Sequence, residues 1–284
     1  MIAVLLFFNF AFMLLMPILL GIWIHRRWGP SWRLYFIGVA TFIGSQVFHI
    51  PFNWLVLNKL KLLPTDTAVL VNLIVVAVFL GLSAGVFEEV ARYLAYRFWA
   101  KDARSWSQGM MMGAGHGGVE AILLGVIGWL NFVILLGLSQ GAFQELIPAE
   151  QMGLVSEQIE AMFGIPWYMA LLGAVERAFA LCLHLAFSVM VLQVFVRKNI
   201  LWLVAAIGWH ALVDATAVFA ISTWDALITE LLIGILALAS IGIIYKLYTP
   251  NPVEPELEPL PEVGQVTIKP ALLSAEAIEK SKYS

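Results

Sequence analysis

Long apolar stretches, separated by short polar segments, dominate the chain. Seven of them approach or exceed the length of about 20 residues that a helix needs to cross the hydrocarbon core of a bilayer. They cover residues 2–24, 34–57, 68–99, 109–138, 167–196, 201–221 and 226–247. The pattern predicts an all-α fold, a polytopic transmembrane bundle of about seven helices.

The composition agrees with lipid as the solvent for most of the chain. Of the 284 residues, 61% are hydrophobic and only 12% are charged, whereas soluble domains carry about 25% charged residues. We therefore predict a multi-pass integral membrane protein, of a bacterial-type plasma membrane, with the lipid bilayer as its surroundings. Residues 1–23 lack a basic start and a cleavage site, which favours a retained first helix. The chain has no basic stripe, so we expect no nucleic-acid partner.

The basic residues outside the apolar stretches predict the orientation. Most fall on one side of an alternating seven-helix path, namely Arg26, Arg27, Arg33, Arg97, Lys101, Arg104, Arg197, Lys198 and Lys246. The other side has Lys59 and Lys61, and residues 140–166 contain no Lys or Arg. The positive-inside rule then places the N-terminus outside and the C-terminus in the cytoplasm. We expect residues 1–248 to form the transmembrane domain and the Pro- and Glu-rich residues 249–284 a disordered cytoplasmic tail.

Clusters of ionisable side chains interrupt four of the seven apolar stretches. A charge at mid-bilayer costs at least ~2.5–3.5 kcal/mol, so such residues usually face a partner, water or a substrate. Those we single out as candidate site residues are Glu88, Glu89, Arg92, His116, Glu120, His184, His210 and Asp214. Counting along each helix at about 1.5 Å per residue places them at similar depth in the cytoplasmic half of the bilayer. We therefore expect one shared pocket.

The residue types suit the activation of water. A glutamate can take a proton from water while a histidine stabilises the developing oxyanion. Three histidines, His116, His184 and His210, could instead bind zinc and leave its fourth position open. The spacing i,i+4 places Glu88 and Arg92 on one helix face, and the same spacing pairs His116 with Glu120 and His210 with Asp214. Glycines 115, 117 and 118 could leave backbone beside His116 open to a substrate strand.

Other intramembrane protease chemistries fit less well. The chain has no His-Glu-x-x-His sequence of zinc proteases and only one intramembrane aspartate, Asp214, where an aspartyl dyad needs two. Residues 81–85 match G-x-S-x-G, but that motif requires a strand–turn–helix elbow and here it falls within a predicted membrane helix.

The motifs, taken together, resemble those of the YhfC family of intramembrane peptidases. They are Glu88-Glu89-x-x-Arg92, Gly115-His116-Gly117-Gly118-x-Glu120, Glu176-Arg177 with His184, and His210-x-x-x-Asp214. That family is similar, at a distance, to the CAAX-processing and bacteriocin-processing proteases, the PrsW proteases and the APH subunit of gamma-secretase. The resemblance implies a glutamate-dependent, metal-assisted or metal-free peptide hydrolase that acts on membrane-anchored proteins or peptides.

The resemblance also implies roles for particular residues. Glu88 and Glu89 match the paired glutamates that supply the general base, and we favour Glu88. Arg92 approximates the downstream arginine, one residue closer than in the CAAX-type pattern. His116 matches the histidine of the second motif, and His210 with Asp214 matches that of the last.

Two other functions remain open at this stage. A transporter or proton relay would also bury Glu, His and Asp, but along a route through the membrane. A non-catalytic scaffold, as the APH subunit is, would not need a competent base. Outside the proposed pocket, His49, with Gln46 and Asn53 on the same predicted helix, fits a polar core residue. Glu176 with Arg177 fits either an ion pair or a site role.

Overall fold

The fold is all-helical, as predicted. The computed structural model describes residues 1–142 and 144–250, and in these ranges it contains eight α-helices and no strand. The helices are α1 (Ile2–Trp28), α2 (Trp32–Trp54), α3 (Leu70–Phe98), α4 (Trp106–Ser139), α5 (Met152–Phe163), α6 (Leu172–Val196), α7 (Leu201–Thr223) and α8 (Ala226–Lys246). All but α5 are long and apolar enough to cross a membrane, so the protein is a multi-pass integral membrane protein.

Local capping explains where several helices begin and end. Helix α1 ends at Trp28. The next residue, Gly29, has a φ of 74°, the left-handed conformation that glycine adopts readily. The Ser31 side chain accepts from the Arg33 amide at the start of α2. Helix α4 begins at Trp106, three residues before the predicted start, because Ser105 and Gln108 form a capping box. Capping residues do not contribute to the pattern of apolar stretches. The helices therefore begin or end a few residues away from the bounds that this pattern predicts.

The segment between the fourth and fifth predicted spans contains a helix that the sequence did not predict. Helix α5 lies within residues 140–166 and has no buried residue. Met162 and Phe163 near its end pack on a small apolar cluster that includes Leu6 of α1 and Phe132 of α4. Twelve residues are too few to span a bilayer, so the pattern of long apolar stretches does not predict this helix.

Glycines let neighbouring helix backbones approach closely around the centre of the bundle. Helix α3 packs most extensively on α7, and α4 packs on α1, α2 and α6. A Cβ atom added at Gly115 would lie 1.9 Å from the Tyr35 carbonyl oxygen, and one at Gly117 would lie 2.7 Å from the His184 ring. A Cβ atom added at Gly118 would lie 2.8 Å from the Tyr35 hydroxyl oxygen. These glycines serve helix packing, and the open backbone expected beside His116 is not there.

One end of the bundle is closed by a large apolar core. Helix ends that meet here carry Arg26, Arg27, Arg33, Arg97, Arg104 and Arg197, and we call it the arginine-rich end. Tyr96, Met111 and Ala206 are fully buried in its core. The cytoplasmic position of this end stays a prediction. The predicted tail lies outside the described residues from residue 251 onward.

Candidate active site

Helix α3 buries two acids and one base in the middle of the bundle. Glu89 and Arg92 have no exposed surface, and Glu88 is 6% exposed. Arg92 Nη1 donates to Glu89 Oε1, while Arg92 Nη2 lies 3.9 Å from Glu88 Oε2. The main partner of Arg92 is therefore Glu89, three residues away. The i,i+4 spacing had predicted a pair between Arg92 and Glu88. A buried charge without such a partner would be costly.

His116 of α4 connects Glu88 to helix α2. Its Nε2 lies 3.0 Å from Glu88 Oε2, and its Nδ1 lies 2.9 Å from Thr41 Oγ1. The single hydroxyl hydrogen of Thr41 is donated to the Gly38 carbonyl oxygen at 2.6 Å, so the hydroxyl accepts from His116 Nδ1–H. The proton on Nδ1 leaves the lone pair of Nε2 facing the Glu88 carboxylate. Two acceptors that face each other need a proton or a cation between them.

His184 of α6 uses both of its ring nitrogens. Arg92 Nη2 lies 2.7 Å from Nδ1, and because arginine only donates, Nδ1 accepts. Nε2 then donates to Glu120 Oε2 at 2.6 Å, and Glu120 also accepts from Arg177 at 2.7 Å. The predicted pairing of Glu120 with His116 along α4 is thus replaced by a bond across helices to His184.

His210 of α7 completes the cluster. Its Nδ1 lies 2.7 Å from Glu89 Oε1, and its Nε2 lies 3.5 Å from Asp214 Oδ2 and 4.0 Å from Glu88 Oε2. The ring stacks on Phe187 at 4.4 Å between centroids. The predicted proximity of His210 and Asp214 is present. The structure therefore places all eight predicted residues in one contiguous network.

A small cavity adjoins this network. It measures about 130 Å³, enough for several waters, and Glu89 and His116 are not among its wall residues. The site residues that line it are Glu88, Glu120, His184, His210 and Asp214. The part of the cavity farther from the arginine-rich end is lined by Glu176, Arg177 and Glu230. The contact between Arg177 and Glu176 is an ion pair.

One group of three side chains could hold a metal ion. Among the described residues, Glu88, His116 and His184 each offer a donor atom within 4.8 Å of the others, and all three are buried. The sequence predicted His210, and not Glu88, as the third metal ligand. Carboxylate and imidazole donors suit zinc, and His116 Nε2 has a free lone pair with its other nitrogen held by Thr41, as in metal sites. His184 would have to give up one of its two present bonds.

Sequence reasoning missed several neutral or peripheral contributors. Thr41 and Gln46 of α2 contact His116 and Glu88, and neutral side chains give little hydropathy signal. Glu230 lies only a few residues into α8, so it resembled an interfacial residue. His49 has three polar neighbours, which agrees with its interpretation as a polar core residue.

Ser83, at the centre of the G-x-S-x-G match, lies within helix α3. Its hydroxyl donates to the Leu80 carbonyl oxygen. The strand–turn–helix elbow that the motif requires is absent there.

Comparison with known proteins gives a family. A family described as "YhfC intramembrane metalloprotease" matches residues 12–237. A protein from Bacillus subtilis (strain 168), named "Uncharacterized membrane protein YhfC", is 29% identical over 214 residues, which are 72% of this chain and 79% of that protein. No solved structure matches. The family match covers most of the chain and includes every residue of the network, so this chain belongs to the YhfC intramembrane metalloprotease family.

Proposed function

We propose that this chain is an intramembrane peptidase that hydrolyses peptide bonds of membrane-associated substrates with a water activated at Glu88. The observation that carries the proposal is the pair formed by Glu88 Oε2 and the lone pair of His116 Nε2, 3.0 Å apart beside a cavity. Such a pair can receive a proton or hold a cation. Either capacity can activate water, the first by general-base catalysis and the second through a bound metal ion.

The burial of the two adjacent glutamates separates their roles. Glu88 lines the cavity, whereas Glu89 is fully buried and holds Arg92 and His210. Glu88 is therefore the carboxylate that would take a proton from the attacking water. That proton would pass to the leaving amine nitrogen as the carbon–nitrogen bond breaks. Glu89 would act through the residues that it orients.

The histidines would share the remaining tasks. With a metal ion present, Glu88, His116 and His184 would hold it, and Glu88 would then be a ligand and not the base; zinc is the best match to this set of donors. A zinc ion bound there would polarise the scissile carbonyl and make its water more acidic. His210, fixed by Glu89 and by stacking on Phe187, would in its protonated form stabilise the oxyanion through Nε2, which lies 4.0 Å from Glu88 Oε2.

The arrangement supports a peptidase more than a transporter. In the part of the chain that the structure describes, the ionisable groups of the network lie at one level of the bundle, and Glu176, Arg177 and Glu230 extend the cavity away from the arginine-rich end. The arginine-rich end beyond them is filled by an apolar core, with Tyr96 and Met111 fully buried. A transport path would need polar groups or water on both sides of the cluster.

Cleavage in liposomes tests the proposal. The purified chain, reconstituted with a membrane-anchored reporter peptide, should cleave it, a chelator should stop cleavage, and zinc should restore it. The reporter fragments are measured by mass spectrometry. The same liposomes without protein are the control. Absence of cleavage of a panel of membrane-anchored reporters, together with ion flux through the same liposomes, would instead support the transporter.

A further inference from the structure

Helix α2 presents a row of polar side chains to the site. Gln46, His49 and Asn53 are spaced i, i+3 and i+7, which places them on one helix face. Each is half-buried, between exposed residues such as Val47 and Phe48. Polar groups inside a membrane segment are retained at a cost, so a row of three calls for a physical reason.

The row ends on the carboxylate that we propose activates water. Gln46 Nε2 donates to Glu88 Oε1 at 3.0 Å. This leaves Gln46 Oε1 as an acceptor, and His49 Nδ1 lies 3.4 Å from it. His49 Nε2 lies 2.9 Å from the Asn53 side-chain amide, so His49 connects Asn53 to Gln46.

The row therefore connects Asn53 to Glu88 through His49 and Gln46. The direction of its last bond is fixed, because the Glu88 carboxylate only accepts, and the charge of the carboxylate strengthens that bond. His49 is further held by stacking on Phe87, with 5.4 Å between ring centroids, and by the Ser83 hydroxyl at 3.0 Å.

The row acts on the oxygen of Glu88 that the site does not use. Oε1 is bound by Gln46, and Oε2 faces His116 at 3.0 Å and Arg92 at 3.9 Å. A carboxylate bound at one oxygen cannot rotate freely, so its second oxygen stays directed at His116. Outer partners of this kind orient ligands and bases in other hydrolytic and metal sites.

We propose that Gln46 is a positioning residue, which holds Glu88 Oε1 so that Oε2 stays on His116, and that His49 and Asn53 hold the Gln46 amide in the required orientation. This inference rests on the proposed function of Glu88. It assigns to α2, which carries none of the predicted site residues, a part in building the site.

Replacing Gln46 by Met tests the inference, because Met has nearly the same length and no donor. We expect zinc affinity, measured by competition with a chromophoric chelator, to fall about 10- to 100-fold, the usual cost of losing an outer partner of a metal ligand. In the reporter assay, kcat should fall and KM should stay unchanged, since Gln46 acts on Glu88 and not on the substrate.

Two comparisons separate positioning from a merely structural role. Gln193→Met is the matched control, because Gln193 is a buried glutamine that bonds Val189 and Arg197 away from the site. It should leave zinc affinity and kcat unchanged. In a Glu88→Gln background, Gln46→Met should cause no further loss of zinc affinity, whereas a general loss of stability would appear in both backgrounds.

His49→Phe is the second variant should Gln46→Met fail to fold. It keeps a ring stacked on Phe87 and removes the hydrogen bonds, and it should lower zinc affinity and kcat in the same sense as Gln46→Met. Unchanged affinity and kcat in these variants, next to an inactive Glu88→Gln protein, would overturn the positioning role alone. A fully active Glu88→Gln protein would overturn the proposed function, and this inference with it.

Discussion

Glu88→Gln should lower kcat for a membrane-anchored reporter by about 10³-fold, within the usual contribution of a general base. Glutamine keeps the size of the side chain and can still interact with Gln46 and His116, but it cannot take a proton from water. The cation site between Glu88 Oε2 and His116 Nε2 would also be weakened, because a neutral amide oxygen binds a cation less strongly than a carboxylate does. The rate is measured with purified, reconstituted protein under substrate saturation.

The matched control is Glu176→Gln, which changes a carboxylate at the far side of the same cavity. Glu176 is ion-paired with Arg177 and does not contact Glu88. We expect it to keep most of the wild-type rate. Equal rates in the wild type and in Glu88→Gln would show that another group activates the water.

Arg92→Met should lower the free energy of unfolding by about 3–5 kcal/mol, the usual cost of removing one partner of a buried ion pair. Arg92 has no exposed surface and binds Glu89 and His184, so its loss leaves a buried carboxylate uncompensated. Unfolding in mixed micelles of a denaturing and a mild detergent provides the measurement.

Two further variants identify the cause of this loss. The double variant Glu89→Gln/Arg92→Met removes both charges and should be more stable than Arg92→Met alone. Arg33→Met breaks an ion pair with Asp102 whose side chains are 48% and 67% exposed, and it should cost less than about 1 kcal/mol. A similar, small loss for Arg92→Met and Arg33→Met would mean that burial does not strengthen the Arg92 pair.

The sequence predicts the spans and the participants of the site for the same physical reason. Apolar stretches of sufficient length report membrane helices, and a charged residue within one is costly enough to stand out. Glu88, His116, His184 and His210 were therefore found without a structure. Helix α5 was not predicted, because its 12 residues are too few to cross the membrane and form no long apolar stretch.

The pairing of the site residues could not be predicted from spacing. Residues at i,i+4 share a face, but the rotation and offset of neighbouring helices decide which partner is closer. Glu120 therefore bonds His184 of α6 and not His116 of its own helix. Gln46 was assigned to a polar core with His49 and Asn53, because a neutral amide in an apolar stretch does not reveal that it contacts Glu88.

The most direct test of the central claim is the amount of metal bound by the purified chain. Elemental analysis should find close to one zinc ion per chain in the wild type. His116→Ala should lose it, because His116 supplies the nitrogen whose lone pair is free in the structure. Wild-type protein that cleaves its reporter at the full rate without metal, or His116→Ala protein that retains the ion, would contradict a metal centre built on Glu88 and His116.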